Sequence, residues 1–318
     1  MEQISNGIYK LTIPTPFLVG PVNTYLIEGD SLTLVDVGPN TVEAWEETKA
    51  QLQQVNKKVE DIENIILTHH HPDHIGMIEK FLPFATVYAH RKVKPWITKD
   101  KQFLFNALQF YEELYTSHGV PDAFITNMLE KKESYMNFSS IGRVDVEIKE
   151  GSRLHFLREW SVIETPGHAQ SHISLYRKSD GVLIAGDHLI DHISSNAIIE
   201  PTYEGEKKRA EPLLDYRRSL QKCLDMKVAY SGHGAEIDNI DELIKKRINE
   251  QDKKAMQFKK MLSDKPKTCF ELCMEKYHYI YEKQPDLTFS ETLGHLDLLQ
   301  SRKEIKQNVI NGLIYYSQ

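Results

Sequence analysis

Ile65-Ile66-Leu67-Thr68-His69-His70-His71-Pro72-Asp73-His74-Ile75-Gly76 sets a short apolar run against a cluster of imidazoles and a carboxylate. The run reads as a buried strand and the cluster as the loop at its C-terminal end, where open α/β sheets place their ligands. A helix with one polar face does not fit, because Pro72 would break its interior and histidines on one helical face need i, i+4 spacing. A solvated histidine tract would not need an apolar strand before it. The cluster therefore reads as metal ligands: imidazole suits Zn²⁺, and the carboxylate adds a harder oxygen for a second ion or its water.

The chain has 318 residues, 40% of them hydrophobic, enough for one large α/β domain with an appendage or for two ordinary domains. A formal net charge of −7 argues against nucleic acid as the main partner. The first residues lack the basic start and apolar core of a secretory signal, and no apolar segment is long enough to span a bilayer, so a cytoplasmic protein without membrane attachment is expected. Cys223, Cys269 and Cys273 are too few and too scattered for a disulfide framework. Cys269 and Cys273, four apart, read as buried thiols on one helix face.

Working outward, Ile8–Leu11, Asn23–Ile27 and Leu32–Val35 read as antiparallel strands, with Glu28-Gly29-Asp30 as a turn, and 42–55 as a helix. Met77–Phe84 suits a short helix and Ala85–His90 a strand. From Val93 the sequence becomes aromatic and helix-like to about residue 140, too long for an ordinary connection. It reads as a helical insertion over the mouth of the site, its aromatics serving mostly as its own packing face. Short strands are expected at 143–148, 153–157 and 160–164. Beyond residue 240 the pattern is mainly helical to the end.

The pattern His69-x-His71-x-Asp73-His74 resembles the defining motif of the metallo-β-lactamase superfamily, in its glyoxalase-II-like form. Asn23–Ile27 and Leu34-Val35-Asp36-Val37-Gly38 look like the landmarks that precede the motif, and Asp36 is then either a hydrogen-bonding support of the histidine loop or a simple turn aspartate. After the motif, Thr165-Pro166-Gly167-His168, Leu183–Asp187 and Ser231-Gly232-His233-Gly234 follow in family order. The resemblance implies a four-layer αββα metallo-β-lactamase sandwich, with a helical insertion at about 93–140 and a mainly helical C-terminal extension. The catalytic part would span 1–240; residues 241–318 would be helical, with a winged-helix-like module as one reading.

The resemblance further implies the ligand set His69, His71 and His168 for one ion, Asp73, His74 and His233 for the other, and Asp187 bridging. His172 is the alternative to His168, and His188 and His192 are left over. Two Zn²⁺ ions, with Fe or Mn as alternatives, would lie about 3.5–4 Å apart and lower the pKa of a shared water towards about 7. The bridging hydroxide would attack a small ester, thioester or lactone, with Asp73 orienting it and passing its proton on. Histidine at position 71 departs from the glutamate of oxygen-reducing di-iron relatives and favours hydrolysis. Ile190 departs from the tyrosine of homoserine-lactone-cleaving relatives, and no glutathione-binding basic residues can be matched. Tyr203 is a candidate electrophilic helper, and Ile193–Pro201 a candidate source of hydrogen bonds to substrate. The alternative function is a metal-dependent ribonuclease that binds RNA through its C-terminal module. The expected partner is a small molecule; a homodimer is left open.

Overall fold

The computed structural model describes residues Met1 to Gln318. The first sheet holds seven strands in chain order: β1 (Glu2–Ser5), β2 (Ile8–Ile13), β3 (Val22–Glu28), β4 (Leu32–Val35), β5 (Asn64–Leu67), β6 (Thr86–Ala89) and β7 (Val146–Glu147). Its first four strands pair antiparallel and the last four parallel. The second sheet is β8 (Trp160–Glu164), β9 (Ile173–Arg177), β10 (Val182–Gly186) and β11 (Val228–Ser231), in the order β11-β10-β9-β8. β12 (Lys306–Ile310) and β13 (Leu313–Ser317) form a separate hairpin.

Helices cover the outer faces: α1 (Val42–Gln54), α2 (Pro72–Ile75), α3 (Lys94–Ile97), α4 (Lys101–Ser117), α5 (Asp122–Tyr135), α6 (Pro212–Lys222), α7 (Ile240–Met261), α8 (Cys269–Tyr281) and α9 (Pro285–Ser301). Strand side chains alternate between faces, and the alternation builds the layers. On β10, Val182 and Ile184 point into the core between the sheets, where they join Tyr25, Ile27 and Ile66 of the first sheet. Leu183 and Ala185 point the other way, into a core shared with α6, α7, α8 and α9. Leu26 and Ile65 face α1. The result is the four-layer αββα sandwich.

Three local expectations change. The helix expected over 77–84 is a single 3₁₀ turn at Ile78–Lys80. Residues 153–157 form no strand; Leu154, Phe156 and Leu157 turn inward and plug the inter-sheet core instead. The C-terminal stretch is helical only to Ser301, because Asn311-Gly312, both with positive φ, close the β12–β13 hairpin. Asn-Gly is the strongest short hairpin signal. No helix is long and apolar enough to cross a membrane.

Twelve of the 17 residues of α9 are buried. Phe289 sits edge-on to Tyr115 of α4, ring centroids 5.0 Å apart, so one side chain couples the C-terminal helices to the segment between β6 and β7. Phe289→Ala is expected to cost about 3–5 kcal/mol. Urea unfolding should remain one transition by circular dichroism and by tryptophan fluorescence, since both regions share that core.

Candidate metal centre

The site begins with a strained backbone. Asp36, directly after β4, has φ +60°, a conformation most side chains avoid. Its amide donates to the Ile66 carbonyl at 2.9 Å. Its carboxylate accepts three hydrogen bonds, from the Thr68 amide (2.8 Å), the Thr68 hydroxyl (2.7 Å) and His74 Nδ1 (2.8 Å). These contacts clamp the loop after β5 onto the end of β4. Asp36 is thus the support of the histidine loop rather than a simple turn residue.

The ring hydrogen bonds establish which imidazole nitrogens carry protons. His168 Nδ1 donates to the Asn196 carbonyl and His233 Nδ1 to the Pro21 carbonyl, at 2.9 and 2.8 Å. A carbonyl only accepts, so in the neutral ring the proton is on Nδ1 and Nε2 is a bare lone pair. His74 is held the same way by Asp36. The Thr68 hydroxyl, already donating to Asp36, accepts from His69 Nδ1 at 2.9 Å. Each outer nitrogen is anchored to protein, and each inner one faces the centre, the usual preparation of a metal ligand.

The inner atoms form two groups. His69 Nε2 and His168 Nε2 lie 3.0 and 2.9 Å from His71 Nδ1. His233 Nε2 lies 3.3 Å from Asp73 Oδ2, and His74 Nε2 lies 3.3 Å from Asp187 Oδ1. Asp187 also reaches His168 Nε2 and His233 Nε2, each at 3.5 Å from Oδ2. All seven residues singled out in the sequence are therefore brought together, with Asp187 between the groups. His74 Nε2, His233 Nε2 and Asp187 Oδ1 are buried with no hydrogen-bond partner. Such orphans are costly, and a divalent cation satisfies them; the donor set fits metal ions.

Charge divides the groups as distance does. Burial holds His69 and His71 well below the usual imidazole range, and lowers His168. Burial acts against His74 and His233 as well, but Asp187 outweighs it, with help from Asp36 and Asp73 at His74 and from Asp73 at His233, so His74 is raised well above its usual range and His233 is pushed up to about 10. Asp187 is held far down despite its burial, by His233 and His74. One half is three neutral nitrogens; the other is a carboxylate pair that demands positive charge.

The remaining histidines take supporting places. His172 Nε2 accepts the Asp187 backbone N–H at 3.1 Å, and its Nδ1 meets the Thr165 hydroxyl at 2.8 Å, so it positions Asp187 and is not an alternative ligand to His168. His188 is buried beside the Tyr216 ring, away from the inner donors. His70 stacks on Trp96, ring centroids 4.5 Å apart and planes within 9°. Gly232 is required where it stands: a Cβ there would overlap Asp187 Oδ1.

A cavity of about 810 Å³ opens onto the centre, lined by His71, Asp73, His168 and Asp187 together with α4 and the loop 190–200. Tyr203 does not join that lining: its hydroxyl accepts from Trp96 Nε1 at 2.7 Å and its ring packs against Phe103. The sequence carries no periodic signal for Glu200, a buried carboxyl on the cavity wall. Its Oε2 accepts the Gln170 amide at 2.8 Å, and its Oε1 faces His70 Nε2 at 3.5 Å. Burial raises its pKa to about 8.

Two measurements probe these supports. Asp36→Asn should keep the fold but weaken metal binding about 10–100-fold, read by competition with a chromophoric chelator. Glu200 binds its proton more tightly folded than unfolded, so its contribution to stability falls from about pH 4.5 up to about pH 8. Glu200→Gln, in chelator-treated protein, should therefore leave the melting temperature nearly unchanged at pH 5 and raise it by several degrees at pH 8, where the buried carboxylate would otherwise ionise.

The comparisons with known proteins agree with this geometry. The family model described as the metallo-β-lactamase superfamily matches residues 18–233. The Bacillus subtilis (strain 168) protein named "Probable metallo-hydrolase YqjP" is 39% identical over 315 residues, 98% of each chain. The crystal structure of the metallo-β-lactamase family protein TTHA1429 from Thermus thermophilus superposes with a TM-score of 0.83 at 26% identity, covering 99% of this chain and 100% of that one. The "Atrochrysone carboxyl ACP thioesterase" of Aspergillus fumigatus is 23% identical over 240 residues, 74% of this chain and 58% of that protein. With its ligand-bearing loops in family order and its sandwich matching a solved relative end to end, the chain belongs to the metallo-β-lactamase superfamily and is a metal-dependent hydrolase.

Proposed function

We propose that the protein hydrolyses an acyl substrate, an ester, thioester or lactone, with two divalent ions, zinc by the chemistry of the donors. His69, His71 and His168 would hold one ion and Asp73, His74 and His233 the other, with Asp187 between them. When bound, the ions supply Lewis acidity, making water nucleophilic near neutral pH and polarising a carbonyl. The observation that carries this reading is the convergence of seven inward-facing donor side chains, with His74 Nε2, His233 Nε2 and Asp187 Oδ1 buried and unpartnered, beside a roomy cavity that His71, Asp73, His168 and Asp187 line.

The protein's own groups have separable tasks. Asp73 faces the cavity with a carboxylate, and it orients the attacking water and accepts its proton at an Oδ atom. His71, Asp187 and His168 border the same space, so the scissile carbonyl has to enter between them and the wall of α4. Water adds to the acyl carbon, the bond to oxygen or sulfur breaks, and the leaving group departs with the proton that Asp73 has taken up. The thioesterase name of the Aspergillus fumigatus relative favours sulfur as the leaving atom.

Asp187→Ala is expected to remove at least one of two ions per chain, read by elemental analysis after gel filtration, and to abolish turnover of acyl thioesters. Asp73→Asn should lower kcat by about 10²–10⁴-fold with KM little changed. Retention of both ions and full turnover in Asp187→Ala would refute the bridging assignment.

A further inference from the structure

The cavity has two unlike walls. Of the inner donors, His71, Asp73, His168 and Asp187 line it; so do Trp96, Ile198 and a stripe of α4, formed by Leu104, Ala107, Leu108 and Tyr111, with Lys131, Lys132 and Glu133 of α5 bordering the same space. That stripe has the i, i+3, i+4, i+7 spacing of one helix face. An apolar helix face ordinarily packs on a core, and Ala107 and Tyr111 do contribute to one. Leu104 and Leu108 are only half-buried and border the open space. Glu200 is the polar exception on the same wall: one carboxyl oxygen accepts the Gln170 amide, and the other faces His70 at 3.5 Å without a hydrogen bond.

We propose that this flank is an acyl-chain channel: the substrate bears an unbranched apolar chain of medium length, laid along Leu104, Leu108 and Tyr111, with its carbonyl at the His71–Asp187 end. The proposal rests on the acyl-hydrolase reading and names the substrate class within it. A cavity of 810 Å³ lies within the range of small-molecule sites that enclose most of their ligand. It is larger than an acetyl or lactoyl group needs. The apolar stripe and four of the inner donors line one and the same cavity, which suits a molecule whose acyl half lies on the stripe and whose polar half meets Lys131, Lys132 and Lys283. In hydrolysis the hydroxyl of water goes to the acyl carbon, the carbon–sulfur bond breaks, and the thiol leaves with a proton, so the freed product is an alkyl carboxylate still lodged in the channel.

The test is a chain-length series of coenzyme A thioesters, from acetyl through butyryl, hexanoyl and octanoyl to decanoyl, with the zinc-loaded full-length enzyme. Each buried methylene should raise kcat/KM about fourfold until the channel is filled. Leu108→Trp should cut the octanoyl-to-acetyl ratio at least about tenfold. Independently of turnover, octanoate added to chelator-treated protein should change the emission of Trp96, the tryptophan on the cavity wall, in a saturable way that butyrate does not reproduce and that Leu108→Phe, which adds bulk without a second indole, weakens. Hydrolysis with a flat or short-chain profile would overturn the channel while leaving the acyl-hydrolase reading intact. Absence of hydrolysis for every thioester and for p-nitrophenyl esters would overturn the function, and absence of octanoate binding would then overturn the channel too.

Discussion

Everything at the centre depends on the carboxylate of Asp36. It holds a left-handed backbone at the end of β4 and accepts from Thr68 twice and from His74 once. Hydrogen bonds to a buried carboxylate are among the stronger ones, and here they also set direction. Thr68, committed as a donor to Asp36, is left to accept from His69, so one anion dictates the tautomers of two imidazoles. The strain at Asp36 persists because its neighbours over-determine it, a pattern that recurs at functional sites.

The two sheets converge on that clamp from opposite sides of the inter-sheet core. β4 and β5 run parallel, so both deliver their C-terminal ends, with Asp36 and the histidine loop, to one edge. β10 and β11 of the second sheet are also parallel and deliver Asp187 and His233 to the same edge. The stitching between sheets is polar: Asn23 Nδ2 donates to the carbonyls of Ser231 and Gly234, and the Tyr25 hydroxyl donates to Ser231. A landmark that looks like an ordinary strand, Asn23–Ile27, is therefore what fixes the last ligand loop. Burial on both sides keeps the donors dry, and dryness sharpens their charge asymmetry.

The helices beyond the ligand loops decide access rather than chemistry. α4 and α5 stand over the centre, and α9 anchors them through Phe289 against Tyr115 and a hydrogen bond from the Tyr115 hydroxyl to Asp286 at 2.7 Å. The segment between β6 and β7 is held by the C-terminal helices, not merely draped over the mouth. An enzyme family that varies its substrates on a constant metal core can do so by changing such walls.

Much of this was legible in the primary structure. Local chemistry marks the ligands: His69-x-His71-x-Asp73-His74 sits after a β-branched run, Pro72 forbids a helical reading of the cluster before it, and glycines flank His233. Strand periodicity marks the sheets, since alternation survives in any environment with one core face. What the sequence by itself could not determine are matters of distance between residues far apart along the chain. His172 stands as the runner-up ligand to His168 until the fold turns its Nε2 onto the Asp187 amide. Tyr203 reads as an electrophilic helper until Trp96 is found hydrogen-bonded to it, and Glu200 reads only as one member of the 193–201 segment until burial surrounds it. Residues 153–157 read as a strand, but the room that Leu154, Phe156 and Leu157 fill between the sheets exists only once both have packed. Ligand identity is carried by residue type and spacing, which are one-dimensional. Tautomer, charge state and cavity shape come from neighbours brought together only by tertiary folding.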